Sequence, residues 1–288
     1  MNRLWFEFER TLASEIGMNL ARLFVGSLFR SSKGDIAVAT DLYHKIGVAW
    51  APVVVGWRDW VIERARHDPP ILIMRDAKPL TAAPTSDMWP RVWLNRQNCG
   101  VVDEISGDET SKHPLLGEYL EQHGLDQPFT FVDSGCWGTI VRDLHLQSGL
   151  VFQPLFFFSH NRAIPGFLND LGVDEKNGEI LNDSMECCFP NFTVRPASLI
   201  RGSKGLILPE LFESDVLSVK LGRTALSGVS DGTARRQLID PVEAVERLLE
   251  LSAIARGGIF TGILPHSSPT WSRGDQFLRD WPRELSWS

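Results

Sequence analysis

Phe131-Val132-Asp133-Ser134-Gly135-Cys136-Trp137-Gly138-Thr139-Ile140 is the stretch on which the reading of this chain turns. It completes the apolar run that starts at Phe129, meets polar residues at Asp133-Ser134, passes two glycines and enters Thr139–Ser148. That last segment reads as a helix of about ten residues, closed by Gly149 where the chain must turn left-handed. The pattern is strand, short Gly-containing loop, helix. Four consecutive apolar residues bounded by turn signals fit a strand buried on both faces.

Three further runs repeat the pattern. Ile71–Met74 ends in Arg75-Asp76-Ala77-Lys78, the run from Arg91 to Leu94 ends in Asn95-Arg96, and Leu155–Phe158 ends in Ser159-His160-Asn161. Apolar runs alternating with helical stretches predict β-α-β units, hence an α/β fold with a mostly parallel sheet flanked by helices. Upstream, Leu4, Phe8, Leu12, Ile16, Leu20 and Leu23/Phe24 form an amphipathic stripe. A second helical stretch runs from Asp41 to His67, with Pro52 expected to kink or divide it and with Trp57 and Trp60 packing against a sheet. Asp240-Pro241-Val242-Glu243 places a cap, a first-turn proline and an acid at the start of a helix reaching Gly257-Gly258. The region from Gly166 to Gly232 reads as loop-rich. The expected organisation is an N-terminal helical layer over 1–67, an α/β core over 68–165 and an irregular C-terminal part over 166–288, all in one structural unit.

Composition narrows the function classes. The 288 residues are 43% hydrophobic and 23% charged, which fits a globular chain and not a disordered one. A net charge of −7 disfavours direct nucleic-acid binding through phosphates. The longest apolar run, Ile46–Trp57, falls short of the roughly 18 residues a membrane span needs. Glu7 and Glu9 stand where an export signal would be apolar. Cys99, Cys136, Cys187 and Cys188 make no C-x-x-C pair, so reduced thiols and a cytoplasmic location are expected. Near the C-terminus, Trp271, Trp281 and Trp287 with Arg273, Arg279 and Arg283 offer either a protein-partner surface or a tail packed on the body.

Ligands of open parallel sheets bind outside the carboxyl ends of the strands. Arg75, Asp76, Lys78, Asn95, Arg96, Asp133, Ser134, Thr139, His160 and Asn161 are therefore expected on one rim, and its cations favour an anion. Free N–H groups at a helix start, with the helix dipole behind them, cradle phosphate. Gly135 and Gly138 would let the backbone approach it, Cys136 lies between them, and Thr139 would add a hydroxyl. Asp133 would accept from sugar hydroxyls or hold Mg²⁺ through water. No histidine spacing suggests zinc, Ser134 lacks a G-x-S-x-G frame, and a Cys136–His160 nucleophile pair is a minor alternative.

These residues resemble a known family. An acidic strand end, a Gly/Thr loop and a helix look like the phosphosugar-binding loop of type I phosphoribosyltransferases. Met74-Arg75-Asp76-Ala77-Lys78-Pro79-Leu80 looks like that family's pyrophosphate loop, and Asn95-Arg96 is similar to its basic strand end. The resemblance implies a phosphorylated sugar or nucleotide as ligand, Asp133, Arg75 and Asp76 in catalysis, and Lys78, Asn95, Arg96, Ser134, Gly135, Cys136, Gly138 and Thr139 on the phosphates or the sugar. His160, Asn161 and Glu186 are further candidates. Residues 45–190 also resemble, in the order of Ala51–Trp57, Ile73–Ala77, Val132–Thr139 and Met185-Glu186, a family labelled haloacid-dehalogenase-like hydrolases and found beside glycosyltransferases. That label's Asp-x-Asp nucleophile motif occurs nowhere in the chain. Phosphoribosyltransferases usually carry two adjacent acids where this chain has Asp133-Ser134. Two readings therefore stand: an enzyme that transfers or cleaves at the anomeric carbon, and a nucleotide-binding sensor or effector without turnover, as in retron-like or toxin–antitoxin cassettes.

Overall fold

The computed structural model describes residues 33–258 apart from 68, 75–76, 95–98, 100–113, 126, 190–198, 210–215 and 235–237. The stripe from Leu4 to Phe24 and the Trp/Arg-rich C-terminus lie outside the described residues. Four strands form one all-parallel sheet in the order β2-β1-β3-β4. They are β1 (Ile71–Ile73), β2 (Arg91–Val92), β3 (Phe129–Cys136) and β4 (Phe152–Ser159). All four runs predicted as strands are strands. The chain steps outward from β1 to β2, then returns to the other side of β1 to lay down β3 and β4. The order reverses between β1 and β3, and that is where open α/β sheets place a ligand crevice.

Helices cover both faces, as alternation along buried strands requires. Leu72, Val132, Leu155 and Phe157 share one apolar cluster with helices α1 (Lys33–Arg64), α5 (Glu175–Cys188), α6 (Val216–Thr233) and α7 (Pro241–Gly258). Ile71, Ile73, Phe129, Phe131 and Phe156 share the opposite one with α2 (Leu116–Gln122) and α3 (Thr139–Ser148). Trp57 is buried with its ring 5.1 Å from that of Phe157, and Trp60 lies 6.1 Å from Phe167 on the short helix α4 (Phe167–Asp170). Trp57 thus packs on the sheet as expected, whereas Trp60 meets α4, its indole N–H donating to Asp170 at 2.8 Å. Pro52 does not divide α1, which runs through it. Asp240 accepts from the Val242 N–H at the start of α7, as its cap position predicts.

Where it is described, the C-terminal part is more regular than expected. The region from Gly166 to Gly232 reads as loop-rich, yet it supplies α4, α5, nearly all of α6 and an antiparallel hairpin of β5 (Leu199–Arg201) and β6 (Ile207–Pro209). Residues from all three expected segments meet in one core: Val53, Leu155 and Val229 belong to the same cluster. The end of α1 is tied to the amino ends of β3 and β4. Gln153 accepts from the Arg66 N–H at 2.7 Å and donates to the Arg64 carbonyl at 2.8 Å, while Thr130 accepts from the His67 N–H at 3.1 Å. This buried network pairs the backbone groups that the end of the helix leaves open. It also leaves the carboxyl ends of the strands, on the far side of the sheet, for a ligand. No helix among the described residues is long and apolar enough to cross a membrane.

Candidate functional site at the carboxyl ends of β3 and β4

Strand β3 runs further than its apolar residues suggest. Asp133, expected at the strand end, and Ser134, Gly135 and Cys136, expected in a loop, all continue the strand and pair with β4 in register, Asp133 opposite Phe156 and Gly135 opposite Phe158. Only Trp137 and Gly138 separate the strand from α3. Gly135 explains the extension. Its φ is +107°, and an added Cβ would lie 2.0 Å from the Phe158 carbonyl oxygen. The glycine is required by the neighbouring strand, where the sequence suggested an approaching phosphate. The Gly135–Cys136 peptide bond is cis.

This pairing buries two of the expected site residues. Asp133 is 5% exposed and its Oδ1 accepts from the Ser134 N–H at 2.9 Å; Ser134 is fully buried. Both belong to the strand interior more than to an open rim. Asn161 is also buried, and it builds the next turn: its Oδ1 accepts from the Ala163 N–H and its carbonyl from the Ile164 N–H, each at 2.9 Å.

What remains at the rim is a helix start. Gly138 precedes α3 in the left-handed region, with φ +80°. The first turn-closing bond runs from the Arg142 N–H to the Gly138 carbonyl, so the N–H groups of Thr139, Ile140 and Val141 have no acceptor within the helix. Gly138 has no side chain with which to cap this end, and no acid stands in its first turn. At α5, in contrast, Asp174 accepts from the Asn177 N–H and Glu175 follows it. The positive end of α3 is therefore not neutralised by an acid of its own first turn.

Lys78 follows β1 in a short 3-10 helix (Lys78–Ala82) and is buried. Burial, and then the Arg223 guanidinium on α6, hold its ammonium below the ordinary lysine range. Arg75, Asp76, Asn95 and Arg96 lie outside the described residues. Glu186 falls on α5, and its side chain is likewise undescribed.

His160 sits where β4 ends, and its surroundings were not legible in the sequence. Its ring stacks on Trp137, with centroids 4.3 Å apart and planes at 20°, and meets Phe158 edge-on at 4.8 Å. Its N–H donates to the Cys136 carbonyl at 2.9 Å, joining the two strand ends. Nδ1 lies 2.9 Å from a Glu175 carboxylate oxygen and Nε2 lies 3.1 Å from one of Glu179. The imidazole side chain is 1% exposed, whereas Glu175 is 75% exposed. Glu175 and Glu179 stand one helical turn apart on α5, an i,i+4 pair of acids at a helix start that is the one sequence signal for them. With His160 they bring a nitrogen and two carboxylates within 4.8 Å of one another.

Comparison with protein-family models, curated proteins and solved structures returned no match to this chain.

Proposed function

We propose that this chain binds the phosphate of a phosphorylated sugar or nucleotide at the start of α3, in the manner of a phosphoribosyltransferase. The observation that carries the reading is the uncapped, acid-free start of α3, which directly follows β3 beside the reversal in strand order. The N–H groups of Thr139 and Ile140, both partly exposed, would hold phosphate oxygens, with the Thr139 hydroxyl beside them. The buried Lys78 at the end of the adjacent strand would supply a cation, and Arg75 and Arg96 would add to it. Departure of a phosphate or pyrophosphate from the anomeric carbon places positive charge on the sugar and negative charge on the leaving group. Fixed N–H dipoles and a desolvated ammonium stabilise the second of these.

The burial of Asp133 favours the second reading, a binding protein without turnover. A carboxylate that is 5% exposed and accepts from its own neighbour is poorly placed to meet a sugar. It also fits a hydrated Mg²⁺ badly, since that ion keeps several waters and needs room for them. Incubation with phosphoribosyl pyrophosphate, NAD and nucleoside triphosphates, read by thermal shift and by mass spectrometry, separates the readings. Shift with product means an enzyme, and shift without product means a binding module. No shift with any of them rejects the phosphate site.

A further inference from the structure

We propose that His160, Glu175 and Glu179 form a binding site for one divalent cation of the zinc class, clamping the start of α5 onto the end of β4. The proposal does not rest on the phosphate reading. Three observations support it. The donors are an imidazole and two carboxylates, a set that suits zinc and its neighbours better than magnesium, which takes oxygen ligands and retains water. They come from two separate elements, so an ion would link a strand end to a helix instead of decorating one surface. The imidazole is also held in place before any ion arrives, by the Trp137 stack, the Phe158 edge and 1% exposure.

The present geometry shows what must change on binding. Glu175 is hydrogen-bonded to Nδ1, while Glu179 lies 3.1 Å from Nε2 without the geometry of a hydrogen bond. An ion takes one ring nitrogen, so one carboxylate must swing toward the other. Glu175, at 75% exposure, is free to do so, while Glu179, at 29%, is the more fixed ligand. Donor atoms around zinc sit about 2.0–2.2 Å from the metal, and the three donor atoms, now within 4.8 Å of one another, must draw together to reach that. Three protein ligands leave a coordination position for water.

The test uses the full chain, stripped with a chelator and titrated with ZnCl₂ or MgCl₂. Equilibrium dialysis with metal analysis gives stoichiometry, and thermal melting gives coupling to the fold. The expected result is one tightly bound zinc that raises Tm as zinc is added, with no comparable effect of magnesium at the same concentration. The double variant E175Q/E179Q should keep its circular dichroism spectrum and bind one zinc fewer, with any residual affinity at that site at least about tenfold weaker. Because the chain has four cysteines, cobalt substitution checks the donors, and visible bands without thiolate charge transfer are expected. The proposal is overturned if the folded wild type binds no zinc, or if the double variant binds as much as the wild type. It is equally overturned if the cobalt lost in that variant shows thiolate ligation.

Discussion

Trp137 lies flat against His160, ring centroids 4.3 Å apart, and so joins the turn after β3 to the residue after β4. The stack supports both ends of the candidate site, because Trp137 leads into α3 while His160 faces the acids of α5. Replacing Trp137 with Ala should cost about 1–2 kcal/mol of stability, from lost stacking and lost apolar contact. Trp137→Phe should recover part of it. Denaturant melts measure the cost, and the His160 ring proton resonances should lose their ring-current shift in the Ala variant. Unchanged resonances would show that the two rings do not stack in solution.

Helices α1 and α6 cross at glycines. A Cβ on Gly47 would lie 1.9 Å from the Ala225 carbonyl oxygen, and one on Gly228 would lie 2.0 Å from the His44 carbonyl oxygen. Close by, His44 Nε2 and Asp231 Oδ2 pair at 2.8 Å. In an isolated helix Gly→Ala stabilises by roughly 1 kcal/mol. Here both Gly47→Ala and Gly228→Ala should destabilise by about 2–4 kcal/mol, because backbone stands where the methyl would go. The sign of the change in a urea melt decides the matter.

That crossing also explains where the sequence was hard to read. The four strands were legible because each is a short apolar run ended by polar residues, and α3 and α7 because Gly149 and Asp240-Pro241 mark their bounds. Helices α5 and α6 carry Gly178, Gly222, Gly228 and Gly232, which locally argue against helix. Their purpose is tertiary: a Cβ on Gly178 would lie 2.2 Å from the Phe158 ring, and Gly228 meets α1. The extension of β3 was hidden for the same reason, since Gly135 reads as a loop residue until Phe158 is seen beside it. At the site, the helix start at Thr139 was legible from local residues. The contact of His160 with Glu175 and Glu179 joins a strand end to a later helix, which no local pattern encodes.

His123 gives a pH test of the α2 region. Burial holds its pKa below the ordinary histidine value of 6.5, and its ring meets Tyr119 edge-on at 4.7 Å. With the folded pKa lowered, the unfolded chain takes up the proton first as pH falls. The stability contribution is therefore complete above about pH 6.5 and declines below it, until the folded pKa is passed. His123→Phe keeps the edge contact and removes the titration. Its stability relative to wild type should improve between about pH 7.5 and pH 5.5 in urea melts. A difference that stays constant with pH would place the His123 ring in water.

Lys78 offers the sharpest separation of stability from function. Near the carboxyl end of β1, its ammonium is disfavoured by burial and then by the Arg223 charge. In linkage terms a lowered lysine pKa means a contribution that is complete above about pH 10.5 and declines as pH falls below it. Lys78→Met keeps the length and apolar body of the side chain without the charge. It should raise Tm at neutral pH, the usual direction when a functional group is removed from an unfavourable setting. If Lys78 also contacts the phosphate at the start of α3, the same variant should bind phosphoribosyl pyrophosphate or nucleotide about one to two decades more weakly. That loss corresponds to a charged hydrogen bond of roughly 1.5–3 kcal/mol. Thr139→Val, which removes only a neutral hydroxyl, should weaken binding less and leave Tm nearly unchanged. Thermal melts with and without ligand report both quantities on each variant. A ligand-induced shift in Lys78→Met equal to that of wild type would remove Lys78 from the phosphate site, whatever its effect on the fold.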